Sequence, residues 1–179
     1  GLEKLVGPEG LASHAGLVNA VESQPQILFQ LDEIGRLLKT LGDANRSPHL
    51  YHIATVLMKL YTSSASVYLG DAYADTKRNK AIDQPCVSIY GTSVPKSLYE
   101  GLCYESITDG FLSRMIAMEG EDSVPKQRPK VIPIPQSIID VAKWWGDFRP
   151  GGNLAKEHPE PAVVLASDEA TAMFDTLDA

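Results

Sequence analysis

The stretch Gln26-Ile27-Leu28-Phe29-Gln30-Leu31 ends in two adjacent carboxylates, Asp32 and Glu33. A short apolar run opened by a turn residue, here Pro25, reads as a buried strand, with helix as the weaker alternative. Ile34-Gly35-Arg36-Leu37-Leu38-Lys39 follows at once and reads as the start of a helix. A strand that turns directly into a helix restricts the chain to α/β arrangements. In open α/β sheets, the C-terminal ends of parallel strands are where ligand chemistry gathers. The same acid pair also suits an ordinary helix N-terminus, where carboxylates offset the helix dipole.

The remaining elements fit around this junction. Ser13 can cap a helix from His14 to about Ser23, with Ala15, Val18 and Val21 on its apolar face and Leu17 alongside. His49–Ser63 reads as a strong helix, because Leu50, Ile53, Ala54, Leu57, Leu60 and Tyr61 recur every three or four residues. Val67–Gly70 is short and β-like. The polar stretch 71–83 then suits a hairpin with Lys77, Arg78 and Lys80 at its tip. Pro85–Gly91 is a second apolar strand. It ends in two hydroxyl residues, Thr92 and Ser93, and Pro95 suits the first turn of a helix over 96–103. Residues 111–118 read as a strand, or as a short helix running into one. Further on come a helix over 136–145, a short strand over 162–166 and a last helix begun at Ser167-Asp168-Glu169. Two apolar strands, each followed by helix, predict an α/β fold with a mostly parallel sheet.

Composition sets limits on function. The 179 residues are 44% hydrophobic and 22% charged, enough for one ordinary core, and the net charge of −7 argues against a surface basic throughout. A local basic loop remains compatible with that charge. The two cysteines, Cys86 and Cys103, lack zinc spacing and imply no disulfide framework, which fits a cytoplasmic setting. Cys86 lies in an apolar run and is expected to be buried. No apolar run is long enough to span a membrane, and no signal peptide is seen. The start at Gly1, without Met, and the stop inside a helical pattern suggest a piece of a larger protein. His49 and His52 stand at i, i+3, but no third ligand has metal spacing.

The order of these elements resembles a known family. The sequence runs from Gly16-Leu17-Val18 to Leu31-Asp32-Glu33 with Gly35 beyond, then to Ser47-Pro48-His49-Leu50. The strand Pro85–Ser93 and Asp109-Gly110-Phe111-Leu112-Ser113-Arg114 follow. Together they resemble the C-terminal half of the P-loop ATPase core of phage and prophage primase-helicase-like replication proteins. The resemblance covers roughly residues 1–120. It implies a partial RecA/AAA-like P-loop NTPase sheet there, a proline-rich linker over 121–135 and a mixed C-terminal extension over 136–179.

The resemblance also implies roles. Asp32 matches the Walker B acid that holds Mg²⁺, and Glu33 matches the acid that polarises the attacking water. Thr92 or Ser93 matches the polar sensor of the γ-phosphate. Arg114 matches the arginine that reaches a neighbouring subunit's ATP in a ring. A basic hairpin tip of Lys77, Arg78 and Lys80 would face single-stranded DNA. The implied cofactors are ATP and Mg²⁺, and the implied assembly is a homo-oligomeric ring such as a hexamer. The phosphate-binding loop Gly-x-x-x-x-Gly-Lys-Ser/Thr does not occur in the sequence. In the family it precedes the Walker B strand, which would place it upstream of Gly1.

Plainer roles stand beside these. Thr92 and Ser93 can simply cap the next helix. Arg114 can pair with Glu119 or Glu121, and the basic tip can be a solvated turn. Trp144-Trp145 is expected to anchor the 136–145 helix on the domain. The alternative to a DNA-dependent ATPase is a non-enzymatic α/β binding or scaffold module of a replication or packaging complex.

Overall fold

A computed structural model describes residues 2–41, 48–75, 79–102, 110–120, 131–148, 160 and 163–177. The chain divides into two compact units, Gly1–Val124 and Pro125–Ala179.

In the first unit, α1 (His14–Ser23) starts where Ser13, in an extended conformation, accepts a hydrogen bond on Oγ from the Gly16 N–H. That contact satisfies one of the helix's otherwise orphaned donors. The buried face of α1 is Leu17, Val18 and Val21, whereas Ala15 lies outside it. β1 (Gln26–Leu31) buries Ile27, Phe29 and Leu31 and exposes Gln26 and Gln30, so it is covered mainly on one face. α2 (Ile34–Leu41) follows after two residues, and α3 (Pro48–Thr62) buries Ile53, Ala54, Val56, Leu57 and Leu60. Tyr61 falls off that face and is 61% exposed.

β2 (Val67–Leu69) and β3 (Ala81–Asp83) pair antiparallel, as the hairpin pattern predicts. Tyr68 and Ile82 stand opposite each other and point into the core. Lys77 and Arg78 lie outside the described residues. Lys80 is not a free tip charge, because its Nζ lies 2.6 Å from Glu22 Oε2 and ties the hairpin to α1.

β4 (Cys86–Gly91) pairs parallel with β1 over its whole length, from Gln26 opposite Cys86 to Leu31 opposite Gly91. Val6 forms a parallel bridge to Leu28 on β1, and the Gly7 N–H donates to the Leu28 carbonyl at 2.9 Å. β1 is therefore flanked by the 6–7 segment and by β4. The α1, α2 and α3 side chains join the inward residues of β1 in one core with Tyr68, Ile82 and Phe111. Each fully buried large side chain there contributes about 1.5–3 kcal/mol through burial.

β4 departs from the expected buried strand. Cys86 is exposed, as are Ser88 and Tyr90 beside it on the same face. A period of two sends these three away from α3 and leaves Val87 as the half-buried inward contact. α4 (Pro95–Gly101) opens with Pro95 in its first turn. The run at 111–118 forms only a 3₁₀ turn at Leu112–Arg114, and residues 115–120 carry no regular structure.

The second unit contains α5 (Gln136–Asp147) and α6 (Asp168–Leu177), the latter capped by Ser167 Oγ, which accepts from the Ala170 N–H. Of the strand expected over 162–166, residue 162 lies outside the described residues and 163–166 form no strand. Trp144 and Trp145 stack edge to face at 4.8 Å and both meet Phe148. The indoles anchor one another at the helix end and stay more than half exposed, 57% and 62%. Among the described residues, no helix is long and apolar enough to cross a membrane.

Candidate functional site

Because β1 and β4 are parallel and in register, their C-terminal ends lie side by side. The pairing continues past the last ladder residues: Thr92 N–H donates to the Leu31 carbonyl at 3.1 Å, and Ile34 N–H donates to the Thr92 carbonyl at 2.9 Å. That brings Asp32 and Thr92 together. Thr92 Oγ1 donates to Asp32 Oδ1 at 2.7 Å, and the Glu33 N–H donates to the same oxygen at 3.0 Å. Both donors fall on Oδ1. Among the described residues Asp32 Oδ2 carries no hydrogen bond, so the protein orients the carboxylate through one oxygen, on a residue that is exposed.

This geometry bears on the capping form of the helix-terminus reading. An acid capping α2 would bond an N–H in the helix's first turn. Asp32 instead bonds its immediate neighbour and the next strand. Glu33 has φ of 53°, in the left-handed region that non-glycine residues seldom occupy. Such a residue costs of order 1–3 kcal/mol and persists where the surrounding structure over-determines it. Here the flanking hydrogen bonds to Leu31 and Ile34 fix the turn on both sides.

The hydroxyl pair behind β4 separates in the same way. Neither caps α4, whose N-cap residue is Val94 with no side-chain hydrogen bond. Thr92 points to Asp32, whereas Ser93 Oγ donates to the Val94 carbonyl at 3.2 Å.

The junction is held by a close approach of α2 to α4. A β-carbon at Gly35 would fall 2.6 Å from Ser93 Oγ, 2.7 Å from the Ser97 carbonyl carbon and 2.8 Å from the Leu98 nitrogen. Gly101 makes the reciprocal contact, its β-carbon position lying 2.8 Å from the Gly35 carbonyl oxygen. Only hydrogen fits at either place without moving backbone. Gly35→Ala is therefore expected to cost about 1–3 kcal/mol in urea unfolding. Gly10→Ala, with nothing within 4 Å of the added carbon, should stay within about 0.5 kcal/mol. Equal effects at the two sites would contradict the packing described. The sequence signals neither glycine contact, since both depend on how two separate helices cross.

Arg114 is placed elsewhere. Its guanidinium lies over the Tyr61 ring, 5.2 Å from the centroid, and its Nη1 donates to the Gly110 carbonyl. The expected acidic partner Glu119 instead accepts from Tyr99 OH at 3.4 Å. Glu121 lies outside the described residues. Tyr61 was thus missed as a partner, and no local spacing points to it. His14 and His52 rings contact at 5.6 Å between centroids. Among the described residues, no group of three His, Cys, Asp or Glu side chains is placed to hold a metal.

Comparison with protein-family models, with curated proteins and with solved structures finds no match to this chain.

Proposed function

We propose that this chain carries the acid-and-sensor part of a DNA-dependent ATPase core, of the kind that drives a phage-type replicative helicase or primase-helicase. The single observation behind this reading is the 2.7 Å hydrogen bond from Thr92 to Asp32 across two parallel strand ends. It couples an acid after one strand to a hydroxyl after the next, at the sheet edge where α/β proteins bind ligands.

In this reading Asp32 would hold Mg²⁺. A carboxylate and a hydroxyl are hard oxygen donors suited to that ion, which usually takes one or two protein carboxylates together with water and phosphate. When bound, it would supply charge neutralisation for the phosphates of ATP. Glu33, lifted by its left-handed backbone, polarises the attacking water. Thr92 senses the γ-phosphate while keeping Asp32 in place, and Ser93 supports the packing against Gly35. The phosphate-binding loop, absent from these 179 residues, is supplied by another segment. Arg114 acts on a neighbouring subunit's nucleotide in a ring, for which it must leave Tyr61 and Gly110. With Lys80 neutralised by Glu22, contact with single-stranded DNA falls mainly to Lys77 and Arg78.

A second reading follows from that missing loop: a non-enzymatic α/β scaffold that keeps the fold without hydrolysis. Binding of a fluorescent ATP analogue to the full-length protein carrying this sequence separates the two. Asp32→Asn is expected to weaken magnesium-dependent binding about tenfold or more, and chelating magnesium should give wild type the same loss. Undiminished binding in the variant would remove Asp32 from the site. No binding by the wild-type protein would favour the scaffold.

A further inference from the structure

A cleft of about 270 Å³ lies between α1 and the β2–β3 hairpin. Its lining includes His14 and Asn19 from α1, Tyr68 and Lys80 from the hairpin strands and their flanks, and Asp71 and Tyr73 after β2. The site described above uses none of these residues. We propose that this cleft binds a small organic molecule through a primary ammonium group.

Tyr68 is only 2% exposed, yet its hydroxyl makes no hydrogen bond among the described residues. No side-chain polar atom there is both fully buried and unpartnered. The Tyr68 hydroxyl therefore reaches open space, and the cleft it lines is that space. A buried phenol usually finds a partner. Here the partner comes from the cleft, as water when it is empty and as the ligand when it is filled.

Charge around the cleft selects the ligand. Among the described lining residues, Lys80 is committed to Glu22 at 2.6 Å. Asp71 is held more loosely, with Lys59 Nζ 3.9 Å away and both side chains about half exposed. Asp71 is therefore the described charge of the lining that a ligand can engage most readily. Burial raises the pKa of Tyr68, and the nearby Asp71 carboxylate and Tyr73 raise it further. The three groups thus lie close enough to feel one another, and Tyr68 stays a neutral phenol at neutral pH. An ammonium has three N–H donors and no acceptor. The Asp71 carboxylate and the Tyr68 hydroxyl oxygen are acceptors that match it. The volume is at the low end for ligand sites, which restricts the molecule to a small amine.

The test is a titration of the protein with n-butylamine, followed by backbone amide chemical shifts, against 1-butanol and butyrate as neutral and anionic probes of the same length. Butylamine is expected to shift the amides of His14, Asn19, Tyr68 and Gly70 in a saturable way, and the other two probes are not. Asp71→Asn should weaken the apparent affinity about tenfold, and Tyr68→Phe about three- to tenfold. An otherwise unchanged amide spectrum establishes that each variant is folded. Equal shifts with 1-butanol, a preference for butyrate, no saturable shift, or an unchanged affinity in Asp71→Asn would each overturn the proposal.

Discussion

Replacing Phe29 with alanine is expected to destabilise the Gly1–Val124 unit by about 3–5 kcal/mol, the range for removing a buried aromatic ring. Phe29 is completely buried, at the centre of β1. β1 is flanked by β4 on one side and bridged by Val6 on the other, so its neighbours have little room to collapse into the cavity. The Gly7 backbone closes over the ring, since a β-carbon there would lie 2.8 Å from Phe29 Cε1. A domain is stable by only about 5–15 kcal/mol, so this one ring accounts for a large part of the margin. Urea unfolding should show a lower midpoint with an unchanged slope, the signature of altered stability alone. Phe29→Leu should cost less, about 1–1.5 kcal/mol. Gln30→Ala, on the exposed face next to it, should change stability by no more than about 0.5 kcal/mol. A Phe29→Ala cost below about 1 kcal/mol would mean that β1 is not the centre of the core.

Much of this core is legible in sequence because its causes are local. Ser13 stands before an apolar helical repeat, and it caps α1. Pro95 is placed where a helix can start, and it opens α4. Ile27, Phe29 and Leu31 alternate and turn inward together. Cys86 departs from the buried position expected for an apolar run because β4 is covered on one face only. The alternation of Val87 and Ile89 with Cys86, Ser88 and Tyr90 matches that outward face. The runs at 111–118 and 163–166 have β-forming residues but pair with no strand among the described residues. Propensity without a partner makes no strand.

The candidate site divides along the same line. The acids at the end of β1 and the hydroxyls at the end of β4 are visible in the chain. Their meeting is not, because it depends on the parallel register of strands sixty residues apart. The choice of Thr92 over Ser93 depends on which hydroxyl that register presents to Asp32. The Tyr61 partner of Arg114 depends on how α3 and the 3₁₀ turn meet, which no spacing encodes. The left-handed conformation of Glu33 is likewise imposed by contacts on both sides of the turn and by nothing in its own side chain.

The most direct measurement is ATP turnover by the full-length protein carrying this sequence, with and without single-stranded DNA, in wild type and in Glu33→Gln. Glutamine keeps the size of the side chain and meets the same left-handed backbone at Glu33, so the variant removes the carboxylate and little else. A positioned acid–base group is worth about 10²–10⁴ in rate. DNA-stimulated turnover is expected to fall at least about a hundredfold in the variant, with magnesium-dependent nucleotide binding retained. Turnover that survives Glu33→Gln undiminished would contradict the proposed role of Glu33 and place the chemistry away from the β1–β4 edge.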